Sequence, residues 1–178
     1  MDDIVRQAIA KWPNVPDCYG WLGLDARGDW YLRDAQVQAA GFFAQGGAAK
    51  GAQLRHDKLR DFIGRNYECD ARGCWFFQNG PQRVYVELEV TPWVWRVAPD
   101  FALSAHTGAL AQRRECLLDE QGRVFVLADL GLGLVHSLDV DRVATAMEQA
   151  GWTLRDVRAA DLPARHGFVT SPQRLAQG

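Results

Sequence analysis

With 178 residues the chain can bury roughly 70 % of the surface its unfolded form exposes, so a full apolar core needs no disulfide or metal staple. Its 20 basic and 22 acidic side chains leave a formal net charge of -2 with no long run of like charge, which argues against a nucleic-acid partner. No segment approaches the roughly 18 uninterrupted apolar residues of a membrane span, and Met1-Asp-Asp-Ile-Val-Arg is not a basic stretch followed by an apolar one; the expectation is a cytoplasmic protein with no membrane partner.

In chain order, Ile4, Val5, Ala8, Ile9 and Trp12 fall on one stripe and predict a helix over 3–11, capped by Asp2 or Asp3 and stopped by Pro13. A hairpin follows from Tyr19 to Arg33, and then the Gly- and Ala-rich stretch Gly41 to Gly51, which reads as a flexible loop. Leu59, Phe62 and Ile63 give one apolar face to a second helix over 54–64. A meander then runs from Tyr67 to about Val97, turning at Gly80-Pro81 into a strand where Val84, Val86, Leu88 and Val90 alternate with Arg83, Tyr85, Glu87 and Glu89. That alternation predicts one buried and one wet face. Thr91-Pro92 interrupts the strand before Trp93-Val-Trp95. A third hairpin spans about 114–129, a glycine-spaced strand spans 130–136, and Asp139 caps a helix over 140–150 with Val140, Val143, Ala144 and Met147 at helical spacing and Gly151 as its stop. Trp152 to Val157 reads as a last strand, and the chain from Pro163 as a tail. The expected organisation is a helix and meander half over 1–97, a hairpin and helix half over 98–162 and the tail 163–178.

One phrase recurs three times: Leu24-Asp-Ala-Arg-Gly28-Asp-Trp30, Cys69-Asp-Ala-Arg-Gly73-Cys-Trp75 and Leu118-Asp-Glu-Gln-Gly122-Arg-Val124. Asp at the first turn position, with Gly three residues later where the backbone turns left-handed, is the signature of a tight loop between antiparallel strands. The loop fixes register: Leu24 opposite Trp30, Leu22 opposite Leu32, Cys69 opposite Trp75, Tyr67 opposite Phe77, Leu118 opposite Val124 and Cys116 opposite Val126. Every pair is apolar, and the fold class that follows is α+β, with hairpins and meanders in one or two curved sheets and about three packed helices.

Gly28-Asp-Trp30-Tyr, the helix from Leu54 to Ile63 and above all Pro81-Gln-Arg-Val-Tyr-Val-Glu-Leu-Glu-Val-Thr-Pro-Trp93 resemble an uncharacterised proteobacterial family of unknown function, known mainly from structural genomics. Residues 20 to 97 carry the resemblance, with a weaker echo in Leu118-Asp-Glu-Gln-Gly-Arg-Val-Phe. The chain departs from that pattern in its long Gly/Ala loop and in Trp93, where the family has Phe. The resemblance implies an α+β fold and brings no activity with it.

Several residue sets invite chemistry and are better explained by packing. Cys69 and Cys74 have a suggestive spacing, but the hairpin sends them to opposite faces, so a shared metal or a disulfide does not fit. His56, His106, His136 and His166 lack metal-ligand spacing, and Gly131-Leu-Gly133 precedes a helix start too distant for phosphate capture. No Ser sits in a nucleophile elbow; Ser104, Ser137 and Ser171 read as loop or cap residues. No cofactor, metal or catalytic residue is assigned. The strongest constellation is Arg83, Tyr85, Trp93, Trp95 and Trp30, rings beside an arginine that suit a flat or anionic ligand. The leading expectation is therefore a non-catalytic protein that binds a small molecule or a protein through this patch. The alternative is a small-molecule enzyme whose acid/base site assembles from Arg83, Glu87, Glu89 and a histidine. A homodimer through an uncovered hairpin edge or the tail segment Arg165 to Ser171 is a further expectation.

Overall fold

Each Asp-to-Gly corner closes an antiparallel hairpin. In a computed structural model describing residues 1–177, Asp25, Asp70 and Asp119 accept the backbone amide four residues on, from Asp29, Cys74 and Arg123 at 2.9, 2.9 and 2.8 Å. Gly28, Gly73 and Gly122 take φ of 83°, 82° and 75°, a conformation that a Cβ opposes. All six expected cross-strand pairs occur in the expected register.

The elements, in chain order, are α1 (Asp3–Lys11), β1 (Cys18–Leu24), β2 (Trp30–Leu32), α2 (Ala35–Ala39), β3 (Ala52–Gln53), α3 (Asp57–Arg65), β4 (Tyr67–Cys69), β5 (Trp75–Asn79), β6 (Gln82–Leu88), β7 (Trp93–Val97), β8 (Leu103–Ala105), β9 (Leu110–Ala111), β10 (Arg113–Asp119), β11 (Val124–Ala128), β12 (Gly131–Val135), α4 (Val140–Ala150), β13 (Leu154–Val157), α5 (Leu162–His166) and α6 (Pro172–Gln177). The fold is α+β, with two mostly antiparallel sheets. The chain divides into two units. The first comprises residues 1–25, 29–90 and the C-terminal segment from Phe168; the second comprises residues 26–28 and 91–167.

The first unit's sheet has the order β3-β2-β1-β6-β5-β4, antiparallel except for β1 beside β6. One face carries Leu22, Leu24, Trp30, Val86 and Leu88, all buried. The helix α3 packs its Phe62 edge-on against Phe77 of β5, with ring centroids 5.5 Å apart. It begins at Asp57 rather than Leu54, because the Leu54 amide is spent on the Trp30 carbonyl at 2.7 Å and His56 caps the helix. On α1 only Val5 of the expected stripe is fully buried, while Ile4 and Trp12 are exposed.

The face expected to be wet is largely covered. Tyr85 and Glu87 are buried, because the segment from Phe168 returns to lie on it: Val169 N–H donates to Gly73 C=O, and Leu88 N–H to Thr170 C=O at 2.8 Å. The expected tail thus carries two short helices and a strap across β6. The Gly41 to Gly51 stretch is also built in, forming two short 3₁₀ turns, Phe43–Gln45 and Gly47–Ala49. Its buried Phe43 lies so close to β1 that a Cβ on Gly23 would stand 2.5 Å from the ring.

The second unit's sheet has the order β13-β10-β11-β12-β7-β8-β9, with β10 and β13 parallel, β7 and β12 parallel, and the other pairs antiparallel. On α4 the buried stripe is Val143 and Ala146, so the helical period is as expected but Ala144 and Met147 face outward. Glycine spacing in β12 has a packing cause. Trp93 and Trp95 of β7 stack with centroids 5.8 Å apart, and a Cβ on Gly133 would meet Trp95 Nε1 at 2.4 Å and Trp93 Cβ at 2.7 Å. Gly133→Ala is expected to cost about 1–3 kcal/mol through overpacking, read as a lower urea midpoint with unchanged slope.

Candidate functional site

The five residues singled out in the sequence do not form an exposed aromatic patch. Trp93 and Trp95 belong to the second unit's core, where their indole N–H groups donate to the Leu130 and Val126 carbonyls at 2.9 and 2.8 Å. A satisfied, buried indole is a packing element. Trp30 is buried in the first unit against Tyr67, edge to face at 5.3 Å.

Arg83 and Tyr85 do stand together, both on β6. Tyr85 is stacked flat on Tyr19 at 4.6 Å, and its hydroxyl donates to Asp70 Oδ2 at 3.1 Å while accepting from Arg72. Burial raises the Tyr85 hydroxyl above its ordinary value. Arg83 is exposed and lies over the Phe76 ring at 4.7 Å. Tyr85 is tied into the corner at Asp70, and Cys74 is buried beneath with Phe76 and Tyr85. Cys69 is exposed on the edge strand β4, with burial of its sulfur pushing the thiol up to about 11, so little thiolate is present at neutral pH.

Glu87 and Glu89 take separate duties. Glu87, 1 % exposed, accepts the Ser171 hydroxyl at 2.5 Å and the Gln173 amide at 2.9 Å, and so anchors the start of α6. Burial pushes its carboxyl up, against the opposing pull of these hydrogen bonds and of Arg33 and Arg174. Half-buried Glu89 shares Lys50 with buried Asp25, at 3.1 and 3.0 Å, and the same ammonium lies 4.8 Å over the Tyr31 ring. Burial alone would lower Lys50, yet these two carboxylates raise it above its ordinary value, so it is a fixed cation. Arg33 completes this buried polar layer. Its Nε, Nη1 and Nη2 donate to the carbonyls of Ala49, Gly20 and Gly41 at 2.8, 2.9 and 2.6 Å, which pins both ends of the Gly41 to Gly51 loop. The layer locks a loop and a strap onto the sheet. Among the described residues no group of three His, Cys, Asp or Glu side chains is placed to hold a metal ion, and no helix is long and apolar enough to cross a membrane.

Arg83 borders a cavity of about 350 Å³ with Glu68, Phe76 and Gln78, and a second, more apolar one lies where α3 only partly covers β1, β2, β5 and β6. This second cavity measures about 380 Å³. Its floor is Leu22, Ile63, Phe77 and Val84, and its mouth carries Trp21, Leu32 and Leu59, which are 48, 48 and 37 % exposed. Arg33, Asp34 and Asn79 supply the polar margin. A β-bulge between Cys18 and Leu22 shifts the β1–β6 register beside Trp21. A cavity of this size, mostly apolar with a few polar groups at one side, has the make-up of a small-molecule site.

Comparison with known proteins gives the chain a family without an activity. A family model described as "Protein of unknown function (DUF2946)", under the name DUF2944, matches residues 1–173. The chain belongs to this family. Among solved structures it is similar to a DUF1285 family protein from Shewanella baltica OS155, at 16 % identity and TM-score 0.46, over 70 % of this chain and 91 % of that one. It is also similar to a DUF1285 family protein from Silicibacter pomeroyi DSS-3, at 13 % identity and TM-score 0.48, over 80 % of this chain and 83 % of that one. No curated protein matches. The expected membership of a family of unknown function agrees with that family match.

None of the five predicted residues lines the cleft. Sequence reasoning passed over it because Leu22 opposite Leu32 and Leu59 beside Ile63 look like ordinary core pairs. The available signal was a surplus of large apolar side chains at one place: Trp21 directly precedes Leu22 on β1, and Leu22 pairs with Leu32 on β2.

Proposed function

We propose that the first unit is a binding module for a small apolar molecule, seated in the cleft between α3 and the sheet. The supporting observation is that a cavity of about 380 Å³ has three large apolar side chains exposed at its mouth. Exposed apolar area converging on a concavity gains on the order of 25 cal/mol per Å² when an apolar ligand covers it. The floor is set by strands and a helix rather than by loops, so little ordering entropy opposes binding.

The test is calorimetric titration with 1-decanol, an uncharged chain, on the wild type and on two mouth variants. Saturation at one molecule per chain is expected. Trp21→Ser and Leu59→Lys, both at exposed positions and so compatible with folding, are each expected to weaken binding about tenfold, a loss of roughly 1.4 kcal/mol. Absence of saturable heat in the wild type, or equal affinity in all three proteins, would contradict the assignment.

A further inference from the structure

The margin of the cleft carries two charged residues of opposite sign, and only one of them is available. Arg33 contributes to the lining, yet it is fully buried and its Nε, Nη1 and Nη2 are each committed to a backbone carbonyl of the same unit. An anionic ligand therefore finds no guanidinium to meet it. Asp34 is exposed at the same margin. Its Oδ1 accepts the Val37 amide at 2.9 Å as the cap of α2, which leaves Oδ2 facing outward with no lysine, arginine or histidine paired to it among the described residues. Asn79, also exposed, adds a neutral amide.

Resting on the reading of the cleft as a small-molecule site, we infer that its ligand is an apolar amine: an alkyl or aryl body in the cavity, with a protonated nitrogen at the Asp34 carboxylate. The charge complementarity is one-sided. A carboxylate at the mouth attracts an ammonium and repels a carboxylate or phosphate, while the apolar floor accepts the body of either equally. Because Asp34 is in contact with water, the attraction adjusts affinity and does not create it; exposed ion pairs contribute up to about a fivefold change. Salt must weaken it, since such pairs are screened over about 10 Å at 0.1 M ionic strength and about 3 Å at 1 M.

The experiment compares decylamine, 1-decanol and decanoate at pH 7, three ligands with one chain length and charges of plus one, zero and minus one. Wild-type protein is expected to bind the amine two- to fivefold more tightly than the alcohol, and decanoate more weakly than either. Asp34→Asn keeps a good capping side chain for α2. It is expected to abolish the ranking by ligand charge, bringing the amine down to the affinity of the alcohol, a pattern that a merely structural role of Asp34 does not produce. The amine's advantage is also expected to vanish in 1 M NaCl. Decanoate binding as tightly as the amine, or an amine preference that survives Asp34→Asn, overturns the ligand class and leaves the apolar site standing. Failure of 1-decanol itself to bind overturns both.

Discussion

Arg33→Met is expected to destabilise the protein by about 4 kcal/mol, the largest loss we anticipate for a single side chain outside the apolar core. The wild-type guanidinium is fully buried and satisfies three carbonyls, those of Gly20, Gly41 and Ala49. Removing it leaves these acceptors without their donors, at about 1–3 kcal/mol for each that water cannot reach, and it removes the positive charge that draws the buried Glu87 carboxyl downward. Methionine fills much of the same volume, so cavity formation contributes little. In a chain of this length the loss corresponds to a fall in Tm of roughly 8–16 °C. Limited proteolysis provides a second readout: cleavage should appear first between Gly41 and Gly51, because that loop is what the side chain holds. Arg33→Lys keeps the charge but offers a compact ammonium in place of a fork, so an intermediate loss is expected. An Arg33→Met protein as stable as the wild type would show that the three carbonyls have other donors.

The same arginine illustrates where sequence reasoning succeeded and where it stopped. Corners led by Asp were legible, because one residue type supplies the acceptor and another the left-handed φ, and register follows from loop length alone. Two further corners of the same backbone pattern went unseen. Ala98 N–H donates to Ala102 C=O and Ala105 N–H to Ala109 C=O, at 2.9 and 2.8 Å, but neither corner begins with Asp. One of them places Phe101 at φ 65° in the position that glycine holds elsewhere, beside the Trp152 ring at 6.2 Å. Without the Asp signal, β8 and β9 could not be inferred. The strap was illegible for a different reason. Alternation along β6 says that Tyr85 and Glu87 share a face, but whether that face meets water depends on a segment some 80 positions away, Ser171 to Gln173, returning to it. Arg33 likewise looks like the polar end of a hairpin; its inward course depends on Gly41 and Ala49 presenting carbonyls. The aromatic constellation failed on the same point. Periodicity identifies which rings share a side, and burial of Trp95 and Trp30 was set by glycines at 131 and 133 and by Tyr67.

Asp139→Ala is expected to cost about 3 kcal/mol at pH 7, and the cost should shrink in acid. The carboxylate is 1 % exposed and joins α4 to β7: Oδ2 accepts Arg96 Nε at 2.5 Å and the Val97 amide at 3.2 Å, while Oδ1 accepts Arg142 Nη1 at 2.9 Å. Alanine strands that amide and leaves two guanidinium groups facing each other, although both reach solvent, which keeps the penalty toward the lower end of the range for a broken buried pair. Burial by itself would raise this carboxyl. The hydrogen bonds from Arg96 and Val97 and the charges of Arg96 and Arg142 outweigh it and hold the group below its ordinary value of 3.8. A carboxyl depressed in the folded state binds fewer protons there than when unfolded. Its contribution is therefore complete well above pH 3.8 and is lost as the pH falls through 3.8 toward the lower folded value. Asp70 and Asp119 are depressed in the same way, whereas Glu87, raised by burial, gives a term of opposite sign that favours the folded state as it takes up a proton. Subtracting the variant from the wild type cancels those shared terms, so urea titrations of both proteins at steps from pH 7 to pH 3 isolate Asp139. A gap that is constant from pH 7 to about 5 and then narrows matches the ion-paired geometry, while a gap independent of pH throughout would mean that Asp139 acts only through its shape and not through its charge.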